Sequence, residues 1–189
     1  LDAMEQYRLD NASVAHPVDL TARIQNAGFD IGNTTGWTLT VSDANYPKFS
    51  QGVMEFWHTT FDCYQLLTGI PLGNYRVSMQ ARSDLGTSNK HFRLYVKTTG
   101  GLPVSVYSVD KTRADGANTA LHLGQNAEDL NAGATVSRIY TDVFVGDGQL
   151  TVGAVCDNAG MWCVMNDFVL EYLGVGDDDL RQTWEAQVD

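Results

Sequence analysis

The sequence predicts an all-β domain, a two-sheet antiparallel β-sandwich with short flanking helices. Three observations carry that expectation. About nine short apolar segments recur at strand length, several alternating strictly between apolar and polar residues. Turn-forming Gly, Asp, Asn and Pro residues separate them. No long helical pattern lies between them, so the crossover helices of a parallel sheet have no place in the chain.

Leu1, Met4, Tyr7 and Arg8 fall at helical spacing, which predicts a helix within residues 1–12. Asp19 is placed to cap a helical turn over Leu20–Ile24. Strands are predicted over Trp37–Val41, Val53–His58 and Phe61–Leu67, followed by a Gly69–Asn74 turn. The clearest strand comes next, with Tyr75, Val77, Met79 and Ala81 alternating with Arg76, Ser78, Gln80 and Arg82. His91–Lys97 repeats the pattern, and Val104 and Val106 continue it. A polar stretch, 110–135, holds a short helical pattern near Ala127–Leu130. Strands return at Val136–Val145, Gln149–Val155 and Met161–Tyr172. Asp147-Gly148 reads as a tight hairpin turn, because a type I′ turn needs positive φ at both central residues. Leu180, Trp184 and Val188 lie four apart behind Asp177, Asp178 and Asp179, the pattern of an acid-capped helix. The organisation is therefore a helical flank over 1–17, a β-sandwich over 18–174, and a linker with a helix over 175–189.

The chain has 189 residues, 43% apolar and 19% charged, a globular composition large enough for one domain with a real core. The net charge of −11 and pI of 4.5 argue against a nucleic-acid partner, since such a surface repels phosphate. No apolar run approaches the ~18 residues of a membrane helix, so membrane insertion is not expected. The chain opens on Leu1 inside a helical pattern, with neither initiator Met nor signal peptide, and is expected to be part of a longer chain. Cys63, Cys156 and Cys163 make no CxxC pair or zinc spacing. Cys156 and Cys163 flank a short polar loop. Either they pair as a disulfide, or all three cysteines are reduced, buried apolar side chains. His16, His58, His91 and His122 show no metal spacing, and no nucleophile elbow, P-loop or dinucleotide fingerprint is present. The 23 acidic residues single out no pair that would serve a glycosidase, so no enzyme is expected. Asn11 and Asn33 stand in glycosylation sequons.

Read in order, several short motifs occur together. The chain opens with Asn26-Ala27-Gly28-Phe29-Asp30 and Gly36-Trp37. Glu55-Phe56-Trp57, Phe61-Asp62 and Tyr64-Gln65 follow, then Leu67-Thr68-Gly69-Ile70-Pro71 with Gly73 and Tyr75-Arg76. It closes on Asp147-Gly148, Leu150-Thr151-Val152-Gly153, Trp162 and Asn166-Asp167-Phe168 with Leu170. Over residues 18–174 this resembles the galactose-binding-domain-like jelly rolls of Bacteroidetes surface and secreted proteins. It is also similar to the carbohydrate-binding modules attached to xylanases and glucanases. The resemblance implies a jelly-roll sandwich and a structural calcium tying the first strand to the last. Carried over, the metal ligands would be Asp30 and Asp167 with carbonyls near Asn26 and Gly28, since calcium takes several oxygens. Two departures stand out. Asp30 is shorter than the Glu many relatives carry, and the Asn166-Asp167 order would turn the carboxylate to the other strand face.

A sugar presents an apolar C–H face and a rim of hydroxyls, so its site needs an exposed aromatic and a few polar groups. Trp57, beside His58 near a strand end, and Tyr46, in the loop Asn45-Tyr46-Pro47, are the foremost candidates. Trp162, beside Asn158 in the loop before the last strand, is a further one, whereas Trp37 fits the core. Arg76, Gln80, Arg82, His91, Arg93 and Tyr95 are predicted on solvent-facing strand positions, and a cluster of Arg82, Asp84 and Tyr95 would be of most interest. The expected function is a non-catalytic module binding a polysaccharide such as xylan or β-glucan, within a larger bacterial extracellular or cell-surface protein. The alternative is a structural spacer or protein-adhesion module.

Overall fold

The structure, a computed structural model, describes residues 3–50, 53–83, 90–107, 114–115 and 137–176. Helix α1 (Ala3–Asp10) leads into β1 (Val18–Asp19), a 3₁₀ turn over Thr21–Arg23, β2 (Thr38–Val41) and β3 (Lys48–Ser50). Next come β4 (Val53–Trp57), β5 (Phe61–Thr68), β6 (Gly73–Ser83), β7 (Phe92–Lys97) and β8 (Val104–Tyr107). The chain then forms β9 (Ala114–Asp115), β10 (Ser137–Val145), β11 (Gln149–Cys156) and β12 (Trp162–Gly174). A seven-stranded sheet has the order β3-β4-β12-β6-β10-β9, with β1 also on β12, and a five-stranded sheet has the order β2-β5-β11-β7-β8. Every pairing is antiparallel.

The period-2 pattern builds the core. On β6, Tyr75, Val77, Met79 and Ala81 are buried between the sheets, and on β7 Phe92, Leu94 and Val96 meet them from the other side. Each of the Val, Leu, Met and Phe side chains among them contributes about 1.5–3 kcal/mol of burial. Phe56 of the seven-stranded sheet stacks on Phe61 of the five-stranded one, with ring centroids 3.7 Å apart, and so fastens the layers at one end. That end is the rim, where β2, β4, β6 and β11 finish and β5, β7 and β12 begin. The opposite end is the base. Near it, Leu9 of α1 is buried in the same core. The 3₁₀ turn has Leu20, not Asp19, at its N-cap; Asp19 accepts from the Thr21 amide at 2.8 Å, and bonds from the Thr21 hydroxyl and then this amide hold its carboxyl below the ordinary range.

The structure departs from the sequence expectations in places. Asp147-Gly148 closes no hairpin, because β10 and β11 belong to different sheets. The pair turns a corner between layers. Gly148 supplies a φ of +74°, and the Asp147 carboxylate accepts from the Gln149 amide at 3.0 Å. The Asx geometry that makes Asp-Gly a good hairpin turn serves a corner equally well. β1, β3 and β9 were not anticipated; at two or three residues they are too short to display a period. β12 carries a bulge between Asn166 and Val169, with Asp167 at φ +53°. The extra residue shifts the alternation, so that Phe168, Leu170 and Tyr172 join the core that Cys163 and Met165 began. The helices expected near 127–130 and over 177–189 lie outside the described residues.

Candidate functional site

The two outer faces of the sandwich differ. On the seven-stranded sheet, alternation directs Trp162 and Val164 of β12 and Arg82 of β6 away from the core. They are nonetheless buried, Trp162 at 3% exposure and Arg82 at 5%. Trp162 packs with Val53 and Val164 in an apolar cluster of its own. This corrects the expectation of an exposed platform at Trp162 and a solvated Arg82. The proposed grouping of Arg82 with Tyr95 also fails, because β6 and β7 belong to different sheets. Asp84 lies outside the described residues.

The five-stranded sheet presents the other face. Register sets three rows across it: Asp62, Val155 and Arg93; Tyr64, Gly153 and Tyr95; and Leu66, Thr151 and Lys97. Gly153 sits at the centre for a steric reason. A Cβ there would lie 2.8 Å from Tyr64 Cβ, Tyr95 Cε1 and the Cys63 carbonyl oxygen. With only a hydrogen in that place, the Tyr95 ring folds down over β11, which leaves it 9% exposed. Its hydroxyl then donates to Asp62 Oδ1 at 2.8 Å. Burial, reinforced by that bond, pushes the phenol far above its ordinary range.

At the rim end of this face lies a groove of about 400 Å³, bounded by Thr40, Ser42, Thr60, Asp62 and Asp157 over Phe61. Asp157 is braced by the start of β7 and the residue before it, with His91 Nδ1 2.6 Å from Oδ1 and Arg93 Nη1 donating to Oδ2 at 2.7 Å. Partial burial raises its carboxyl, but the hydrogen bonds from Arg93 and His91 outweigh this and hold it below the ordinary range. The opposite wall is tied by hydroxyls. Ser42 Oγ and Thr59 Oγ1 are 2.8 Å apart, and the Thr60 amide donates to Ser42 Oγ at 3.0 Å. A smaller hollow of about 190 Å³ lies at the base end, bordered by Leu66, Lys97, Gln149 and Thr151. The face thus offers hydroxyls, carboxylates and amides beside aromatic rings, the groups that recognise a polyhydroxylated ligand. Both groove carboxylates are already engaged, Asp62 by a phenol and Asp157 by two cationic or polar partners, which suits a fixed binding surface.

A larger cavity of about 570 Å³ lies at the base, between α1 and the turn before β6. Its polar groups are turned on one another: Gln6 donates to Asp10 at 2.8 Å, and Tyr172 donates to the Leu72 carbonyl at 2.9 Å. Size alone does not make it the better site.

The remaining candidates are spread along the rim. Trp57 is 49% exposed and lies flat on His58, with centroids 4.5 Å apart and planes at 3°. His58 holds a φ of +49°, a conformation non-glycine residues adopt at some cost, and its amide donates to the Met161 carbonyl at 2.8 Å. Tyr46 is half-buried against the core, with Lys48 Nζ 5.5 Å from its ring centroid. Asn158 is half-buried in the loop beyond Asp157, where its side chain accepts from the Gly160 amide at 2.7 Å. Trp37 is core, against Phe29 and Phe168.

Two of the groups considered for calcium, the Asp167 carboxylate and the Asn26 carbonyl, have partners within the protein. The Asp167 carboxylate is ion-paired with Arg138, whose Nη1 also donates to the Asp167 carbonyl at 3.0 Å and to Ser78 Oγ at 3.1 Å. The Asn26 carbonyl already accepts from the Trp37 indole at 3.2 Å and from the Phe29 amide at 3.2 Å. The Asp30 carboxylate folds over the α-carbon of Gly28. Among the described residues no cluster of three His, Cys, Asp or Glu side chains could hold a metal. The opening motif does meet the closing strand, but through the Phe168 amide donating to the Ala27 carbonyl at 3.0 Å.

No protein-family model matches the sequence, and no curated protein matches it either. Solved structures do. A family 61 carbohydrate-binding module in complex with β-1,4-galactotriose superposes with a TM-score of 0.53 at 20% identity, covering 78% of this chain and 96% of that one. The fold is that of a β-sandwich carbohydrate-binding module. A family 4 module (TM-score 0.47, 11% identity, 79% of this chain and 99% of that one) is a weaker likeness. So is the family 22 xylan-binding domain from Paenibacillus barcinonensis (0.43, 12%, 79% and 94%). Within this module fold the sequence located the rim aromatics but missed Tyr64 and Gly153 as parts of one face. Alternation of Asp62, Tyr64 and Leu66 was a usable signal. The partner strands that complete each row were not readable from it.

Proposed function

We propose that this chain is a non-catalytic carbohydrate-binding module that holds a neutral, β-linked polysaccharide along the outer face of its five-stranded sheet. The reading takes it to belong to a larger extracellular or cell-surface bacterial protein. One observation carries it: the groove bounded by Asp62, Asp157 and three hydroxyl side chains opens onto a face where Tyr64 and Tyr95 flank a glycine. Carboxylates and hydroxyls would bond the sugar hydroxyls, and a tyrosine ring would stack on a C–H face. The β-1,4-galactotriose bound by the family 61 module supports a β-linked chain as the ligand class.

A second placement is favoured by Trp57, whose exposed ring is held flat by His58 at the rim. Affinity electrophoresis against xylan, mixed-linkage glucan, β-1,4-galactan, mannan and pectin separates the cases. The expected result is retardation by a neutral polymer, abolished in Tyr64→Ala and retained in Trp57→Ala. The reverse pattern moves the site to the rim. Retardation by none of them overturns the reading in favour of a spacer or protein-adhesion module.

A further inference from the structure

We propose that Asp62 is the specificity-determining residue of the rim groove, a fixed negative charge that turns away sugar units carrying a carboxylate and favours units carrying an amine. The inference rests on the reading of this face as the polysaccharide site. It adds the class of substituent which that site selects, and the residue that selects it.

Two carboxylates border the groove, and they differ in what covers their charge. Asp157 is met by the Arg93 guanidinium at 2.7 Å, with His91 Nδ1 at 2.6 Å from its other oxygen. Asp62 is met by a phenol. The Tyr95 hydroxyl donates to its Oδ1 at 2.8 Å, and among the described residues no cation forms an ion pair with it. Arg93 stands in the same row of the sheet, with Val155 between. Its Nη1 is committed to Asp157 and to the His91 carbonyl. The phenol is a neutral donor, so it fixes the direction of the Asp62 carboxylate without cancelling its charge. Burial, and then that same bond, keeps the phenol protonated far above its ordinary range.

The permanent charges at the groove are therefore Asp62 and Asp157 against Arg93, an excess of one negative. Thr40, Ser42 and Thr60 add only neutral hydroxyls, and Val41 and Phe61 are apolar. A charge beside apolar side chains is screened less than one in open water. A sugar hydroxyl can donate to the half-buried Asp62. A uronic acid carboxylate is an acceptor only, so it brings repulsion and no hydrogen bond. An ammonium group brings attraction and a charge-assisted bond.

The test uses three derivatives of whichever neutral polymer retards the chain, substituted to the same degree with hydroxyethyl, carboxymethyl or aminoethyl groups. Their bulk is similar and their charge is not. At pH 8 and low salt, the chain should bind the carboxymethyl form about tenfold more weakly than the hydroxyethyl form. That ratio equals about 1.4 kcal/mol, which two like unit charges reach about 6 Å apart at an effective dielectric of about 40. The aminoethyl form should bind more tightly than the hydroxyethyl form, and both differences should shrink as salt shortens the screening length. Asp62→Asn keeps an oxygen for the Tyr95 hydroxyl and should bring the carboxymethyl ratio to within about threefold, a change of about 0.7 kcal/mol or more. Glu171→Gln removes one negative charge from β12, in the other sheet, and should leave the ratio as it is. Equal binding of the three derivatives by the parent overturns the proposal while the polysaccharide site stands. An equal effect of Glu171→Gln and Asp62→Asn also overturns it, because the discrimination then belongs to the net charge of −11. If no polymer is retained at all, the site itself fails and the proposal with it.

Discussion

Replacing Gly153 by alanine tests the architecture of the proposed site with one carbon atom. The added Cβ would stand 2.8 Å from three atoms at once: the Cys63 carbonyl oxygen, Tyr64 Cβ and Tyr95 Cε1. Two of these belong to the neighbouring strand, whose backbone is pinned by its own ladder, so the Tyr95 ring is what can move. Overpacking of this kind costs roughly 1–3 kcal/mol. A ring lifted from the sheet also loses its hydrogen bond to Asp62, about 1.5 kcal/mol for a charged acceptor. The two effects overlap, so the expected loss is about 3 kcal/mol, read from urea unfolding of both proteins at one pH. Tyr95→Phe removes only the hydroxyl and should lose about half as much. If Tyr95 shapes the ligand face, affinity for the retained polysaccharide should fall about tenfold in Gly153→Ala, equal to about 1.4 kcal/mol. A variant within 0.5 kcal/mol of the parent, on the order of a neutral surface change, would refute the packing argument. Lost stability with unchanged affinity would refute the placement of the ligand.

Other outcomes follow from the same geometry. Arg138→Gln should destabilise by about 1 kcal/mol in thermal unfolding, because the Asp167 pair is part-exposed and its guanidinium also bonds Ser78 and the Asp167 carbonyl. The thermal midpoint should be the same in calcium and in chelator, since Asp167 already has Arg138 as its cation. A rise of several degrees with calcium would show the opening loop holding a metal after all. Asp157 has a lowered carboxyl, so the stability from its pairing is fully present above the unfolded value near 3.9 and is lost as pH falls through the folded one. Urea midpoints of the parent and Asp157→Asn should therefore differ at pH 6 and converge as the pH falls below the ordinary carboxylate range.

Much of the sandwich is legible in the sequence where burial enforces alternation. Tyr75 to Ala81 and Phe92 to Val96 announce which face is inside, because a one-residue slip would expose every apolar side chain. What the sequence withholds is partnership. Asp147-Gly148 has the chemistry of a hairpin, and only the pairing of β10 with β6 and of β11 with β5 and β7 turns it into a corner. The same gap affects the site. Arg82 and Tyr95 both occupy outward strand positions, yet they stand on opposite layers. Trp162 sits next to a polar loop and is buried all the same, because neighbouring strands bring Val53 and Val164 against it. Trp57 is the converse case, an aromatic at a strand end that stays exposed. At the Asn166-Asp167 pair the strand bulges, and Asp167 is paired with Arg138, a partner nothing in the sequence announces.

The meeting of Ala12 and Gly174 at the base has a mechanical consequence. A Cβ on Gly174 would come within 2.2 Å of the Ala12 carbonyl oxygen, so the backbone enters and leaves the sandwich at nearly one point. Tension applied at residues 12 and 174 would act across that short junction, peeling β1 and the end of β12. Little of the load would run the length of the sheets. The rim groove, at the far end, is thus shielded from strain carried by the flanking chain, and a ligand there would be held by an end of the body that a pull leaves undeformed.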